Sequence, residues 1–246
     1  MIIQAYKNTG ETPLDLINRL KNENSAYKHL PMTYAGRLDP MAEGLMVILT
    51  GEDCTKKDEY TNLPKGYEVT VLFGFSTDTN DLLGLVENVQ VEFDTILDQL
   101  PEVIKKFVGK LDQRYPSYSS RTVAGKPLWE WAREGRLHEI TIPTHEVYIS
   151  EITIKDYFEI SKDELQKYIN EQIAKVKGGF RQPEILSSWR QKLDKYEDQS
   201  FLCVKLFVSC SSGTYVRVLA HEIGRNLDTY ALAMHIKRTQ IGDYTI

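Results

Sequence analysis

The segment from Tyr34 to Leu49 constrains the fold more than any other part of this 246-residue chain. Residues 34–45 read YAGRLDPMAEGL and place Asp39 in a loop punctuated by glycine and proline. Because a residue before proline avoids the helical region, Asp39 is predicted to adopt an extended or turn conformation. The apolar run Leu45–Leu49 is typical of a buried strand or helix, which would hold the loop rigidly. An aspartate presented in this way is a candidate catalytic residue.

Apolar residues repeat with two different periods along the chain, which predicts both strands and helices. Over residues 67–75 they alternate with other side chains, and a polar turn at 76–81 leads to a predicted return strand, Leu85–Phe93. Helical spacing marks residues 94–108, and residues 12–15 (TPLD) begin another helix with a hydroxyl cap and a proline. Hairpins combined with separate helices predict an α+β fold built on one long mixed, mainly antiparallel sheet flanked by helices.

Two helices are predicted between two later strands. Residues 161–164 (SKDE) form a capping box that opens the first helix, and Gly178-Gly179 closes it. A second helix is predicted to begin near Pro183. The strand-like runs Val147–Phe158 and Phe201–Val208 flank this pair. The pattern therefore indicates a helical hairpin between two strands.

The charge of the chain limits how it could bind nucleic acid. With 35 acidic and 30 basic residues, the formal net charge is −5, unlike proteins that coat nucleic acid without specificity. Any binding of RNA would therefore have to rest on local clusters. The segment 115–136 interleaves basic and aromatic side chains, which suits both phosphate contact and base stacking. Its members are Arg121, Lys126, Arg133 and Arg136 with Tyr115, Tyr118, Trp129 and Trp131.

Cysteine usage and hydropathy predict a reducing compartment and exclude several classes of protein. Cys54, Cys203 and Cys210 show neither a disulfide framework nor metal-ligand spacing, so reduced thiols and no metal are expected. No apolar stretch approaches the ~20 residues that span a bilayer. Residues 1–7 lack the basic start and apolar block of a signal peptide, so a cytoplasmic protein is expected.

Five short segments, taken in order, resemble those of one enzyme family. They are Lys7–Thr12 (KNTGET), the Asp39 loop, Lys65–Val69 (KGYEV) with Thr77–Asp81 (TDTND), Ser117–Gly135, and Ser212–Arg217 (SGTYVR). In this order they resemble the TruB family of tRNA pseudouridine synthases. The resemblance implies the pseudouridine synthase fold and a single catalytic domain over residues 1–246. It also implies a helical insertion at about 160–199 and, because the chain ends soon after its last strand, no C-terminal PUA domain.

The resemblance implies an isomerase that flips a uridine out of RNA and uses no cofactor. It assigns Asp39 as the catalytic carboxylate, which either attacks C1′ or abstracts a sugar proton. Arg217 would pair with that carboxylate and Tyr67 would stack on the base. Lys7 would support the loop or a phosphate, and Ile236 would press on the other face of the base. The remaining substrate-binding residues implied are Tyr34, Arg37, Arg121, Lys126 and Arg133.

The expected substrate is the T-loop uridine of tRNA, with the T-arm as the partner of a monomeric enzyme. Three positions depart from the family pattern: Asn8 replaces a proline, Tyr34 a histidine and Arg37 a small residue. A synthase for another structured RNA, such as rRNA or mRNA, therefore stays open, as does an RNA-folding chaperone or binding module with secondary catalysis. The structural alternative is that Asp39 is a turn former, Tyr67 a half-buried strand residue and Arg217 a surface helix residue.

Overall fold

The computed structural model describes residues 1–91 and 95–246. Within these ranges the strands are β1 (Ile2–Lys7), β2 (Met32–Ala35), β3 (Ala42–Thr50), β4 (Lys65–Phe73), β5 (Phe75–Thr77), β6 (Val86–Val89), β7 (Gly109–Arg114), β8 (Thr122–Val123), β9 (Lys126–Pro127), β10 (Thr144–Ser161), β11 (Ser200–Cys210), β12 (Ala231–Ile241) and β13 (Tyr244–Thr245). The α-helices are α1 (Pro13–Glu23), α2 (Lys57–Thr61), α3 (Ile96–Lys105), α4 (Leu128–Arg133), α5 (Lys162–Lys175), α6 (Gln182–Leu193) and α7 (Val216–Arg225).

A nine-stranded mixed sheet organises the described residues. Its main path runs β1-β3-β12-β4-β11-β10-β7, with β2 paired to β3 and β13 paired to β12. Only the pairing of β3 with β12 is parallel among the pairs described for this sheet. Helices flank the sheet, so the predicted α+β fold with a long, mainly antiparallel sheet is confirmed.

The apolar run after Asp39 forms a strand, β3, in the interior of the sheet. Met46 and Ile48 pack into one apolar cluster and Leu45, Val47 and Leu49 into another, so both faces of β3 are covered. A strand buried on both faces reads as a continuous apolar run, and periodicity alone does not separate such a strand from a buried helix. Its pairing with β1 and β12 in the sheet shows that the run is a strand.

The parallel pairing of β3 and β12 brings the Asp39 loop beside β12. In this register Ala42 lies opposite Ile236, and Gly44 lies opposite Arg238. Gly44 has φ of +114°, and a side chain there would overlap the Arg238 backbone. A glycine is therefore needed for the close approach of the two strands. The pairing therefore holds the Asp39 loop next to β12.

Local signals in the sequence predict several element ends correctly. Thr12 caps α1 and Ser161 caps α5, each through a complete capping box. The predicted second helix near Pro183 is α6, and Pro101 lies inside α3 without ending it. The predicted return strand after the 76–81 turn is shorter than expected, as β6 covers Val86–Val89. The last two residues of that prediction, Glu92 and Phe93, lie outside the described residues.

The helical hairpin α5–α6 packs on the sheet through its own apolar cluster. Leu165, Ile169 and Ile173 from α5 meet Ile185 and Trp189 from α6. Phe75 lies 5.3 Å from the Trp189 ring, centroid to centroid, which joins the hairpin to the turn region after β4. None of the helices in the described ranges combines the length and hydropathy of a bilayer-spanning segment. The three cysteines are free thiols, and Cys203 and Cys210 are buried.

Candidate active site

One cavity of about 690 Å³ lies over the ends of β4 and β12. This volume falls within the range of roughly 300–1,000 Å³ that is typical of ligand sites. Six of the ten residues predicted from the sequence line it. They are Asp39, Arg217, Tyr67, Arg37, Ile236 and Arg133. The tertiary structure therefore gathers side chains from the two ends of the chain into one site.

Asp39 and Arg217 form an ion pair at the centre of this cavity. Arg217, in the first turn of α7, is almost fully buried, and its Nε donates to Asp39 Oδ2 over 2.8 Å. Its other nitrogens donate to the carbonyl oxygens of Thr79, at 2.6 Å, and Tyr118, at 3.0 Å. The guanidinium is thus fixed from three directions. The Asp39 side chain stays 39% exposed, so its carboxylate is aimed while remaining open to the cavity.

Electrostatics keep Arg217 charged in spite of its burial. Burial by itself lowers the pKa of Arg217, but the carboxylates of Asp39 and Asp81 raise it, and the net direction is upward. A planar guanidinium binds a carboxylate with defined geometry, which a flexible ammonium does not. The pair therefore holds Asp39 in one orientation.

The Asp39 loop is anchored by contacts on both sides of the carboxylate. The Ala42 amide donates to the Asp39 carbonyl at 3.0 Å, and the Gly10 amide donates to the Pro40 carbonyl at 2.8 Å. Lys7 Nζ donates to the Ala42 carbonyl at 2.6 Å. These bonds tie the loop to β1 and to the start of β3.

Lys7 is buried and does not line the cavity. Its ammonium bonds the carbonyl oxygens of Asn8 and Ala42, so the structure favours support of the loop over contact with a phosphate. Burial lowers the pKa of Lys7 to about 8, although the nearby Asp39 carboxylate opposes this shift. Lys7 therefore lies beneath the Asp39 loop, outside the cavity lining.

Tyr67 and Ile236 share one face of the sheet beneath the cavity. Tyr67 pairs with Arg238 across β4 and β12, and Val69 pairs with Ile236. Residues two apart on a strand face the same side, so these side chains are neighbours. Burial raises the pKa of the Tyr67 phenol, and the charge of Arg238 opposes that shift. Tyr67 is therefore a neutral, rigidly held aromatic ring.

Asp81 is a second carboxylate in the cavity to which sequence reasoning assigned no role. It is buried, and its Oδ1 accepts from Thr79 Oγ1 at 2.7 Å and from the Leu83 amide at 2.9 Å. Burial raises the pKa of Asp81 to about 6; Arg217 opposes the shift and Asp39 adds to it. The available signal was the segment TDTND after a strand, in which short polar side chains bond the local backbone.

Arg238 was also missed, although it lines the cavity and is buried. Its Nε donates to the Leu45 carbonyl at 2.8 Å and its Nη1 to the Arg37 carbonyl at 3.0 Å. Arg238 therefore clamps both ends of the Asp39 loop from β12. Alternation along β12 predicts a strand there, but the pattern does not say that an arginine faces inward.

The cavity is electropositive within a chain of net negative charge. Its lining includes six basic side chains and two carboxylates. We call Asp39 and the buried charged groups around it, Asp81, Lys65, Arg217 and Arg238, the floor. We call the three guanidiniums that reach solvent the rim: Arg37, Arg133 and Arg181. Sequence reasoning missed Arg181, which comes from the loop between α5 and α6.

Three other predicted residues lie away from the cavity lining. Tyr34 is half-buried on β2 and packs against the core, because β2 pairs with β3 at the edge of the Asp39 loop. Lys126 pairs with Glu134 at 2.8 Å, and Arg121 lies 5.2 Å over the Tyr115 ring. The structure thus separates these three from the carboxylate site. Arg121 remains exposed on the surface.

Comparisons with known proteins agree with the geometry of this site. The model of the TruB family pseudouridylate synthases, N-terminal domain, matches residues 25–170. The chain is 29% identical over its whole length to tRNA pseudouridine synthase B of Mesoplasma florum, covering 70% of that protein. It is 30% identical to tRNA pseudouridine synthase B of Caldanaerobacter subterraneus, again over its whole length and 70% of the relative.

Solved structures support the fold. An H/ACA RNP bound to a substrate RNA containing 2′-deoxyuridine matches 99% of this chain with a TM-score of 0.56 and 16% identity. A Cbf5-Nop10-Gar1 complex matches with a TM-score of 0.54 and 18% identity. The chain spans about half the length of these solved chains. The family match, the whole-length relatives and the shared fold agree: the chain belongs to the TruB family of pseudouridine synthases, which are isomerases.

Proposed function

We propose that this chain converts the T-loop uridine of tRNA to pseudouridine, with residues 1–246 acting as one catalytic unit. The observation that carries the proposal is the Asp39 carboxylate, held by Arg217 at 2.8 Å and open to a cavity of about 690 Å³. The relatives that match the whole chain are named tRNA pseudouridine synthase B, which supports tRNA as the substrate.

The reaction is an isomerisation that needs one well-placed carboxylate. The N1–C1′ bond of the uridine breaks, the base turns, and a C5–C1′ bond forms; C5 releases its proton and N1 gains one. Asp39 begins the reaction by attacking C1′ or by removing a sugar proton. Arg217 pairs with that carboxylate and keeps it aimed on either route. The atoms and charges balance without an external oxidant or reductant.

The base reaches Asp39 only after it leaves the RNA stack. Flipping costs a few kcal/mol, and contacts in the pocket offset this cost. In our proposal the Tyr67 ring stacks on one face of the uracil and Ile236 presses on the other. The pocket walls are buried strands, so neither side chain has to be ordered when the base enters. Lys7 and Arg238 hold the loop in place throughout.

Two residues of the rim, Arg37 and Arg133, bind the RNA backbone. Arg37 and Arg133 are exposed at the mouth of the cavity and carry the positive charge that an RNA phosphate requires. Arg133 comes from α4, whose Trp129 also lines the cavity and offers a surface for stacking. Affinity for RNA therefore depends on the rim, and turnover depends on the floor.

A second candidate is a synthase that acts on another structured RNA. It is favoured by Arg37, because the exposed arginine at the rim belongs to the segment Gly-Arg-Leu-Asp, which resembles the ribosomal-RNA synthases. Such an enzyme would use the same floor with a different set of contacts at the rim.

Tritium release tests the proposal. A tRNA transcript carrying 5-tritiated uridine is incubated with the enzyme, because attachment at C5 expels that hydrogen. We expect one equivalent to be released from the T-loop uridine, and none from a matched transcript in which cytidine replaces that uridine. Equal release from both transcripts would contradict the T-loop assignment. No release from tRNA, with release from total RNA, would favour the second candidate.

A further inference from the structure

The helical hairpin α5–α6 contributes a wall of the cavity. Gly179, Phe180 and Arg181, in the loop between the two helices, line the same cavity as Asp39. The hairpin had no assigned task from the sequence. Its loop is a segment of the chain separate from the Asp39 loop and α4, which line the same cavity. This placement puts the hairpin loop where a substrate in the cavity would meet it.

The hairpin packs against two segments that border the floor. The buried Trp189 donates its Nε1–H to the Leu82 carbonyl at 3.2 Å, and Ser188 Oγ accepts from the Val86 amide at 3.0 Å. On the other side, the end of α5 packs on Gly10, where an added side chain would overlap the Lys175 backbone. The hairpin therefore contacts the turn that carries Asp81 and the loop that bonds Pro40.

Arg181 is oriented by two contacts within the cavity wall. Its Nη1 donates to Asp78 Oδ2 at 2.7 Å, and its guanidinium lies 4.5 Å over the Tyr118 ring centroid. The Tyr118 carbonyl in turn accepts from Arg217. Arg181 has φ of +62°, a left-handed conformation that costs a non-glycine residue energy. The contacts hold the side chain in one position despite this cost.

One edge of the Arg181 guanidinium remains available for a ligand. The side chain is 22% exposed, and Nε and Nη2 donate to no acceptor within the described residues. An arginine fixed on one edge and free on the other presents a preformed pair of donors for an anion. The rim also contains Arg37 and Arg133, so three guanidiniums from three separate elements surround the mouth.

We propose that Arg181 binds a backbone phosphate of the RNA beside the flipped uridine, so that the hairpin forms part of the RNA-binding surface. This inference rests on the proposed function, because the floor is then occupied by the uridine and the flanking backbone must pass the rim. A phosphodiester is the anionic group that this strand supplies there, and a bidentate contact with it suits the free edge of Arg181.

The alternative is a structural tie, in which Arg181 serves only to join the hairpin to Asp78. Binding of a T-arm stem-loop at several KCl concentrations separates the two roles, with Asp39→Asn as the background to prevent turnover. We expect Arg181→Ala to weaken binding on the order of 10-fold and to lower the slope of log K against log salt by about 0.7–0.9, the loss of one phosphate contact. Arg190→Ala, on the exposed face of α6, is the matched control and should change binding less than about twofold.

Asp78→Asn breaks the same ion pair but keeps the Arg181 charge. If Arg181 binds a phosphate, Asp78→Asn preserves the salt slope; if it is only a tie, Asp78→Asn and Arg181→Ala weaken binding equally and leave the slope unchanged. Thermal melting of each variant confirms that it is folded. A binding profile of Arg181→Ala equal to that of Arg190→Ala would overturn the inference.

Tritium release by the wild-type chain, measured beside the binding experiment, distinguishes failure of this inference from failure of the T-loop assignment. If the T-loop assignment is wrong, the wild-type chain releases no tritium from tRNA, or releases it equally from the transcript in which cytidine replaces the T-loop uridine. If only the role of Arg181 is wrong, the wild type releases tritium and Arg181→Ala binds the T-arm with an unchanged salt slope.

Discussion

The floor and the rim of the cavity both carry basic side chains, but the two sets meet different partners. On the floor, Arg217 and Arg238 are buried, and carbonyl oxygens or Asp39 accept from them. At the rim, Arg37 and Arg133 are exposed, and their guanidiniums form no hydrogen bond or ion pair with the described residues. The same side chain thus stabilises loops in one place and is left available for RNA in the other.

Burial decides between these two uses. A buried charge without partners costs several kcal/mol, so a floor arginine must be bonded by the protein itself. An exposed guanidinium is hydrated, and exchanging water and counterions for a phosphate favours binding. Substitutions on the floor should therefore change catalysis and stability, whereas substitutions at the rim should change RNA affinity and its salt dependence.

The largest effect is expected on the floor for Asp39→Asn. The amide has nearly the same shape but lacks the charge needed to attack C1′ or remove a proton, so turnover should fall by on the order of 10³-fold or more. RNA affinity should stay within about threefold, since the rim is intact. Single-turnover tritium release and equilibrium binding measure the two quantities. A parallel loss of binding would break the division between floor and rim.

Arg217→Ala should affect both activity and folding. It leaves the Thr79 and Tyr118 carbonyls without their donors, and each lost partner in a buried site costs about 1–3 kcal/mol. We expect a loss of about 2–4 kcal/mol in the free energy of unfolding, measured by urea denaturation, and at least a 10²-fold loss of tritium release. Arg225→Ala, at the exposed end of the same helix, is the control. An Arg217→Ala variant as stable as the wild type would contradict the conclusion that the hydrogen bonds of Arg217 stabilise the fold.

Asp81→Asn tests the electrostatics of the floor through pH. The pKa of Asp81 is raised from 3.8 to about 6, so the folded chain binds this proton more tightly than the unfolded chain does. Stability from the protonated form is therefore complete below about pH 4 and is lost as the pH rises through about 6, by about 3 kcal/mol at most. Relative to the wild type, Asp81→Asn should gain stability over this window in urea denaturation.

A partly exposed carboxylate, Asp53, provides the opposite control for that experiment. Lys56 and the N-terminal ammonium hold the pKa of Asp53 below its usual range. Its contribution is therefore present above about pH 4 and is lost as the pH falls below that value. Asp53→Asn should show no gain between pH 4 and 7. If both variants show the same dependence of stability on pH, titration of Asp81 is not the cause of the gain.

The smallest of these effects is expected at the rim, for Arg133→Ala. Loss of one phosphate contact should weaken RNA binding about 3- to 10-fold and lower the salt slope by about 0.7–0.9, with single-turnover chemistry nearly unchanged. Arg136→Ala is the control, because Arg136 lies nearby on the surface and is already paired with Glu134 and Glu139. If the rate of the chemical step falls by a larger factor than RNA affinity does, Arg133 acts in catalysis like the residues of the floor.

Local features of the chain were predictable because their causes are local. The hydroxyl of Thr12 and the carboxylate of Asp15 are three residues apart, and a capping box needs no other part of the protein. The same holds for Ser161 and Glu164 at the start of α5. The resemblance to a family supplied the pairing of Asp39 with Arg217, which lie 178 residues apart. Without that resemblance, each would have been an ordinary turn or helix residue.

Other site residues were not predictable because burial and register decide their roles. Asp81 and Arg238 read as polar residues in a turn and a strand, yet both are buried. Tyr34 and Lys126 read as substrate contacts, but strand pairing and the ion pair with Glu134 place them outside the cavity. Such outcomes depend on how distant elements pack, and composition or periodicity does not contain that information.

By itself, the sequence determined the main elements, the α+β class, the Asp39 loop and the helical hairpin, because periodicity, capping and turn residues act over a few positions. Only the tertiary structure decided that β3 and β12 pair in parallel, that Arg238 clamps the Asp39 loop, and that Arg181 reaches the cavity. The physical reason is distance along the chain. Contacts between residues more than a hundred positions apart depend on the whole packed sheet, which fixes where each side chain meets its partner.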